Sequence, residues 1–180
     1  LSSAASDVYK RQAFGVYTLL LPYWKKKRLL LLFEKFCSMA QDNGYYFFKY
    51  CMEQLPKEKK QHIYYILDTD SADYDKMKQY GKHVIPFMSF RHILYSLVAN
   101  LYIASDSKKH LYTWRAKPNV ISNRISKHNI LFLQHGVTAL KRVHPIFGMK
   151  GSSPMTHFTT TSRFEHKIIV ENFGYEDGDA

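Results

Sequence analysis

The sequence predicts an α/β fold: a Rossmann-like parallel sheet covered by helices. Short apolar runs alternate along the chain with segments whose apolar residues recur at helical spacing. Such alternation is typical of units in which a helix connects two parallel strands. Hydrophobic residues make up 46% of the 180 residues, which is enough for a packed core and excludes a disordered tail.

Six apolar runs are predicted as strands because they are short, continuous and bounded by polar or turn residues. They cover residues 28–33, 63–67, 84–87, 101–104, 129–133 and 157–161.

Four segments are predicted as helices, and residues 108–127 are left unassigned. The helices cover residues 38–55, 71–80, 89–99 and 162–173. The last begins with a capping box, in which Ser162 is the N-cap and Glu165 is the third helical residue. Gly174 is expected to end it, and Gly81 to end the second helix.

The charge balance predicts an anionic partner. The chain has 26 Lys and Arg against 15 Asp and Glu, a formal net charge of +11. Nucleic acid, an anionic membrane surface and a phosphate-rich substrate all fit this excess, and charge does not choose among them. Cys37 and Cys51 are too few for a disulfide framework, which favours a reducing compartment.

The first 27 residues differ from the rest. Residues 1–12 look like a translated sequencing adapter and are left out of the fold prediction, the alternative being a natural disordered N-terminus. Residues 13–27 form an apolar and then basic lead-in, shorter than the roughly 20 residues that span a bilayer. Two hypotheses stay open: an ordinary loop or helix end, or a segment on an anionic membrane with Tyr23 and Trp24 at headgroup level.

The best candidate site follows the fifth predicted strand. Ligands of parallel sheets bind beyond the carboxyl ends of the strands. There, His135 is the side chain best suited to proton transfer near neutral pH, and Gly136 lets a ligand approach closely. Thr138 offers a hydroxyl, while Lys141 and Arg142 add positive charge. The alternative is a structural histidine followed by solvated basic residues.

Long motifs resemble the CDP-glycerol glycerophosphotransferase family of teichoic acid synthesis. They are FLQHGVTALKRV and IFGMKGSSPMTHFTTTSRFEHKIIVENFGY, with FEKFCSMAQDNGYYFFKYC and YYILDTDSADYDKMKQYG earlier. The resemblance covers residues 28–178. It implies a GT-B architecture, in which two Rossmann-like domains face each other across a cleft. Residues 28–180 would be the N-terminal, acceptor-side domain, truncated before the nucleotide-binding domain and unable to turn over alone.

The resemblance also implies a reaction. Family members transfer glycerol phosphate from CDP-glycerol to a membrane-anchored poly(glycerol phosphate) chain and release CMP. His135 would be the general base that deprotonates the terminal hydroxyl of the acceptor. Thr138, Lys141 and Arg142 would hold phosphate oxygens beside Gly136. CDP-glycerol is the donor substrate, no cofactor is expected, and the enzyme would be peripheral on the cytoplasmic face of a bacterial membrane.

Three further residues are candidates for substrate binding. Glu34, just beyond the first strand, either lines the acceptor groove or forms an ion pair with Lys35. Ser152 and Ser153, with Gly151, either cradle phosphate through main-chain N–H groups or form an ordinary turn. The nine histidines show no zinc spacing, so no metal site is predicted.

Two other functions stay open. Another GT-B transferase of wall or capsule polysaccharides would share the fold, and the segment VTAL after Gly136 departs from the family's Thr-Pro-Leu pattern. A nucleic-acid-binding domain would use the same charge, but no module signature supports it and no nucleic acid is expected. The sequence leaves open the donor, a priming or polymerising role, and the oligomeric state.

Overall fold

The fold is built on a parallel sheet. A computed structural model describes residues 3–112, 120–134, 136 and 142–180, the first five of them as backbone only. Within these residues the strands are Leu30–Phe33 (β1), Ile63–Leu67 (β2), Val84–Pro86 (β3), Leu101–Ala104 (β4), Asn129–Phe132 (β5) and His157–Phe158 (β6). Their order across the sheet is β3-β2-β1-β4-β5-β6, and every pairing is parallel. The predicted α/β class with a Rossmann-like parallel sheet is confirmed.

Helices connect the strands and precede β1. The helices of the described residues are Ser3–Leu19 (α1), Leu21–Lys26 (α2), Asn43–Gln54 (α3), Lys57–Lys60 (α4), Tyr74–Met77 (α5), Phe90–Val98 (α6), Val120–Ser126 (α7), His144–Phe147 (α8) and Arg163–Phe173 (α9). Short 3-10 segments cover Lys35–Cys37, Lys78–His83, Lys108–Leu111 and Asp177–Asp179.

Both faces of the sheet are covered, as continuous apolar strands predict. In the central strand β1, Leu31 and Phe33 belong to one buried cluster, and Leu32 belongs to the cluster on the opposite face. Leu31 pairs with Tyr64 of β2 and with Tyr102 of β4, so the strand is hydrogen-bonded along both edges. Strand β1 is therefore buried on both faces and paired along both edges.

The N-cap that Ser162 was predicted to provide for α9 is confirmed, and α6 has an N-cap of the same kind. The Ser89 hydroxyl accepts a hydrogen bond from the His92 amide, and the Ser162 hydroxyl accepts one from the Glu165 amide. Gly174 ends α9 with φ 77°, a left-handed conformation that glycine adopts without a side-chain clash.

Two predicted helices are shorter than expected. The helix predicted over 38–55 begins at Asn43, because the chain before it turns back to bind Glu34 at the end of β1. The helix predicted over 71–80 is α5 followed by a 3-10 segment, in which Gly81 has φ 52°.

The N-terminal segment packs on the domain. Helix α1 crosses residue 12 without a break and lies against α6, with Ala13 and Tyr17 buried. Trp24 makes an edge contact with Tyr95 of α6, whereas Tyr23 is half exposed, with the Lys27 ammonium over its ring. Among the described residues, no helix is both long and apolar enough to cross a membrane.

Candidate functional site

The strand order places a topological switch point at the carboxyl ends of β1 and β4. The chain moves outward from β1 to β3 on one side and continues from β4 to β6 on the other, so the direction reverses between β1 and β4. Open parallel sheets bind ligands at this kind of switch point. The residues that follow β1, β4 and β5 therefore form the candidate site.

Glu34 follows β1 and is completely buried. Its carboxylate accepts hydrogen bonds from the amides of Gln41 (3.0 Å), Asp42 (3.0 Å) and Tyr45 (2.7 Å). Burial raises the pKa of the Glu34 carboxyl, and the three amides act in the opposite direction. This carboxylate faces inward and holds the start of α3, a role that neither the groove hypothesis nor the ion-pair hypothesis included.

Gly44 lets the start of α3 approach Glu34 this closely. A Cβ atom at position 44 would lie 3.1 Å from Glu34 Cγ and 3.2 Å from Glu34 Oε1. Any other side chain would press on a carboxylate that three amides already hold in place. The spacing between β1 and α3 therefore depends on the absence of a side chain here.

The start of α3 also contacts β4 and β5. Ser105, the first residue after β4, donates a hydrogen bond of 3.1 Å to the Asp42 carboxylate. The Asn43 side-chain amide donates to the carbonyl of Gln134, which precedes His135. The first turn of α3 thus joins the ends of three strands.

Gln134 is held from two other directions as well. Its main-chain amide donates to the Thr159 hydroxyl (3.2 Å), and its side-chain amide donates to Glu165 Oε1 (2.9 Å). Glu165 is completely buried, and its other oxygen accepts from the amide and the hydroxyl of Thr161, both at 2.8 Å. The residue before His135 is therefore anchored by α3, by the end of β6 and by α9.

The predicted site residues fall into two groups. His135, Thr138 and Lys141 lie outside the described residues. Gly136 and Arg142 are described, and both are exposed. Around the predicted base, the structure therefore describes Gln134, which is anchored, and the exposed residues Gly136 and Arg142.

Ser152 and Ser153 form a tight turn after α8. The amide of Ser152 donates to the Pro145 carbonyl (3.0 Å), and the amide of Ser153 donates to the Ile146 carbonyl (2.8 Å). The Gly151 amide donates to the Gly148 carbonyl (2.7 Å). These are the three amides that were expected to cradle phosphate, and all of them bind main-chain carbonyls. The buried Ser153 hydroxyl is hydrogen-bonded to that of Ser107.

Sequence reasoning missed the groups that build the site. The motif SRFE marked Glu165 as a capping residue, but its carboxylate turns to Thr161 and Gln134 instead of to the Ser162 amide. No sequence signal marked Asp42 or Asn43, because their partners lie on distant strands. Within the described residues, no group of three or more His, Cys, Asp or Glu side chains is arranged to hold a metal ion.

Comparison with known proteins gives one informative match. The chain is 32% identical over 142 residues to the minor teichoic acid biosynthesis protein GgaB of Bacillus subtilis (strain 168). The match covers 76% of this chain and 15% of GgaB, so the chain spans only a small part of that relative's length. No protein-family model and no solved structure match. The similarity to GgaB confirms that this chain is related to proteins of teichoic acid biosynthesis, the process to which the family that its motifs resemble belongs.

Proposed function

We propose that this chain is the acceptor-side, Rossmann-like domain of a GT-B transferase. The enzyme transfers glycerol phosphate from CDP-glycerol to a membrane-anchored poly(glycerol phosphate) chain. The observation that carries the proposal is the anchoring of Gln134 at the switch point by Asn43, Thr159 and Glu165. Such rigid support is expected next to a group that must meet its substrate in one geometry.

In the proposed reaction, His135 acts as the general base. Its imidazole takes the proton of the acceptor's terminal hydroxyl as the oxygen attacks the β-phosphorus of CDP-glycerol. The new bond joins this oxygen to phosphorus, and the bond to the CMP oxygen breaks. Thr138, Lys141 and Arg142 stabilise the charge on the phosphoryl oxygens, and Gly136 leaves room for them.

The exposed cations before β1 support a peripheral position on the cytoplasmic face of a bacterial membrane. Lys25, Lys26 and Arg28 are exposed, and Tyr23 beside them is half exposed. Each such cation near an anionic surface contributes about 1 kcal/mol of attraction. Trp24 contributes to packing against α6 rather than to this surface.

The test is an assay of the full-length protein with CDP-glycerol and a poly(glycerol phosphate) primer. His135→Ala should lower kcat by about 100-fold or more, the range expected for loss of a general base, while the circular dichroism spectrum stays unchanged. His166→Ala is the matched control, since His166 lies on α9 against the carbonyl of Asp177. Near-normal turnover of His135→Ala would exclude His135 as the base.

A sugar-phosphate donor is the second candidate, favoured by the departure of VTAL from the family's Thr-Pro-Leu pattern. The same assay with a panel of nucleotide-linked sugars distinguishes the two donors. If the protein turned over a sugar donor but not CDP-glycerol, the sugar donor would replace glycerol phosphate in the proposal. The proposed fold and the proposed base would stay the same.

A further inference from the structure

We propose that Phe36, Asp106 and His110 form a phosphate-binding site at the switch point, which we call the His110 site. Phe36 follows β1, whereas Asp106 and His110 follow β4, the strand beside it. The assignment of the bound phosphate to the acceptor chain rests on the proposed function. The site itself rests on the geometry described below.

His110 is oriented by a carboxylate. Its Nδ1 atom is buried and lies 3.3 Å from Asp106 Oδ2, within the distance of an ion pair, although the two atoms do not form a hydrogen bond. The imidazole side chain keeps 18% of its surface exposed. Because Nδ1 is buried, the accessible part of the ring is the side away from Asp106. With Nδ1 turned toward Asp106, Nε2 is the ring nitrogen that is available to a ligand.

Phe36 covers one face of this ring. The two rings are stacked, with their centroids 4.2 Å apart and their planes 21° from parallel. Phe36 is 47% exposed, which is unusual for a large apolar side chain so close to a buried strand. The stacking fixes the plane of the imidazole and so the direction of its outer N–H group.

The turn that carries Phe36 is strained and firmly held. Phe36 (φ 55°) and Cys37 (φ 54°) are successive non-glycine residues in the left-handed region, a strained conformation for residues with a side chain. The Cys37 amide donates to the Glu34 carbonyl (2.9 Å), and the Cys37 thiol contacts the His110 carbonyl (3.5 Å). The Asp68 amide donates to the Cys37 carbonyl (2.7 Å). Backbone strain held from three sides is typical of ligand-binding positions.

The charges around the His110 site favour an anion. Lys35 and Lys109, the chain neighbours of Phe36 and His110, are both exposed. Two ammonium groups on the chain neighbours of a carboxylate-supported imidazole and its stacked ring suit a phosphate oxygen better than a neutral ligand.

The sheet register places Asp106 of the His110 site next to Gln134, since the two residues follow neighbouring strands. Ala104 of β4 pairs with Phe132 of β5, so Asp106 and Gln134 each lie two residues beyond a paired position on neighbouring strands. Adjacent strands are about 5 Å apart. A phosphate held beside Asp106 would therefore lie next to the strand that leads to Gln134. The site would fix the penultimate phosphate of the acceptor while its terminal hydroxyl reacts.

The test measures binding to the 180-residue chain directly and involves no turnover. With the histidines labelled with ¹⁵N, imidazole spectra are recorded while inorganic phosphate and then glycerol 1-phosphate are added at constant ionic strength. The His110 signals should shift in a saturable way. His110→Gln should weaken the affinity by about tenfold, the value of one charge-assisted hydrogen bond. His157→Gln is the matched control, because His157 also has Nδ1 near a carboxylate, 3.8 Å from Asp179, but lies at the start of the edge strand β6.

The outcomes separate the possibilities. No saturable shift of His110 in the wild-type chain, or equal affinity in His110→Gln, would overturn the His110 site. If circular dichroism shows that His110→Gln does not fold, Phe36→Leu takes its place and should weaken binding by releasing the ring. A His110 shift with phosphatidylglycerol vesicles but not with glycerol phosphate would identify a lipid headgroup as the phosphate. Binding at His110 by a protein that transfers no glycerol phosphate would uphold this site and exclude the proposed reaction.

Discussion

The side-chain amide of Gln134 donates a hydrogen bond of 2.9 Å to the buried carboxylate of Glu165, 31 residues later in the chain. This bond connects the residue before His135 to the first turn of α9. Thr161 donates two further bonds to the same carboxylate. One buried acid therefore positions both the end of β5 and the turn after β6.

Loss of the Glu165 carboxylate should destabilise the domain strongly. Glu165→Ala would remove the acceptor of three part-buried hydrogen bonds, from the Thr161 amide, the Thr161 hydroxyl and the Gln134 side-chain amide, at a cost of about 3 kcal/mol. Urea unfolding measures the change. Glu171→Ala on the same helix is the control, since Glu171 is exposed and pairs with the exposed Lys167 at 3.7 Å, so it should change stability by less than about 0.5 kcal/mol. Equal effects of the two variants would contradict the anchoring role.

Two glycines in helices should respond to alanine in opposite directions. Gly15→Ala places a methyl group in open space on α1 and should stabilise the protein by about 1 kcal/mol, the usual difference in helix propensity. Gly44→Ala would gain the same propensity but push against the fixed Glu34 carboxylate. We expect a net loss of about 1 kcal/mol for Gly44→Ala, measured by thermal or urea unfolding. A stabilising Gly44→Ala would show that Glu34 moves freely.

The sheet and the capped helices could be predicted from local sequence, because their signals are local. Continuous apolar runs such as residues 63–67 have to be buried on both faces. The hydroxyl of Ser162 and the left-handed backbone of Gly174 define the two ends of α9. The parallel arrangement follows from the alternation of strands and helices.

The remaining features depend on contacts between distant residues. Helix α1 gains its stability from burying Ala13 and Tyr17 against α6, a contact that no local pattern reveals. The late start of α3 depends on Glu34, whose carboxylate binds amides 7 to 11 residues further along. A carboxylate after an apolar strand suggested an exposed role, and only the packing of α3 shows that it faces inward.

His92 should make the domain less stable in mild acid. Its Nδ1 accepts from the Met88 amide (3.0 Å) and its Nε2 lies 2.9 Å from the Leu111 carbonyl, so the buried ring is neutral. Burial lowers the pKa of His92 from 6.5 to about 4. Because the folded-state pKa is depressed below the unfolded value, the unfolded chain takes up the proton first. The contribution of the neutral His92 to the free energy of unfolding is complete above pH 6.5 and is lost between pH 6.5 and 4.

The size of this effect is about 3 kcal/mol for His92 alone, since one pKa unit corresponds to roughly 1.4 kcal/mol. Burial lowers the pKa of His128 to about 4 as well, so His128 acts in the same direction. Urea unfolding at pH 7 and pH 4.5 measures the loss, and ¹H NMR of the imidazole Cε1 protons identifies the groups. His92→Gln should flatten the pH dependence. A His92 midpoint near 6.5 would contradict the prediction.

Asn43 should control the order of the loop before His135 without contributing much to global stability. It is exposed at the start of α3, and its side-chain amide donates to the carbonyl of Gln134. Asn43→Ala removes this link and leaves the Thr159 and Glu165 links to Gln134 intact. Because the lost bond is exposed, the free energy of unfolding should fall by no more than about 1 kcal/mol.

The local consequence should be larger than the global one. Hydrogen exchange of the amide of Gly136 should become faster in Asn43→Ala, while exchange in β1 and β2 stays unchanged. Asn172→Ala, an exposed asparagine on α9, is the control and should change neither. If His135 is the base, kcat of the full-length protein should fall by about tenfold with KM nearly constant, because a looser loop costs alignment rather than binding. If exchange became faster while kcat stayed normal, catalysis would not depend on this hydrogen bond to Gln134. That result would argue against a base at position 135.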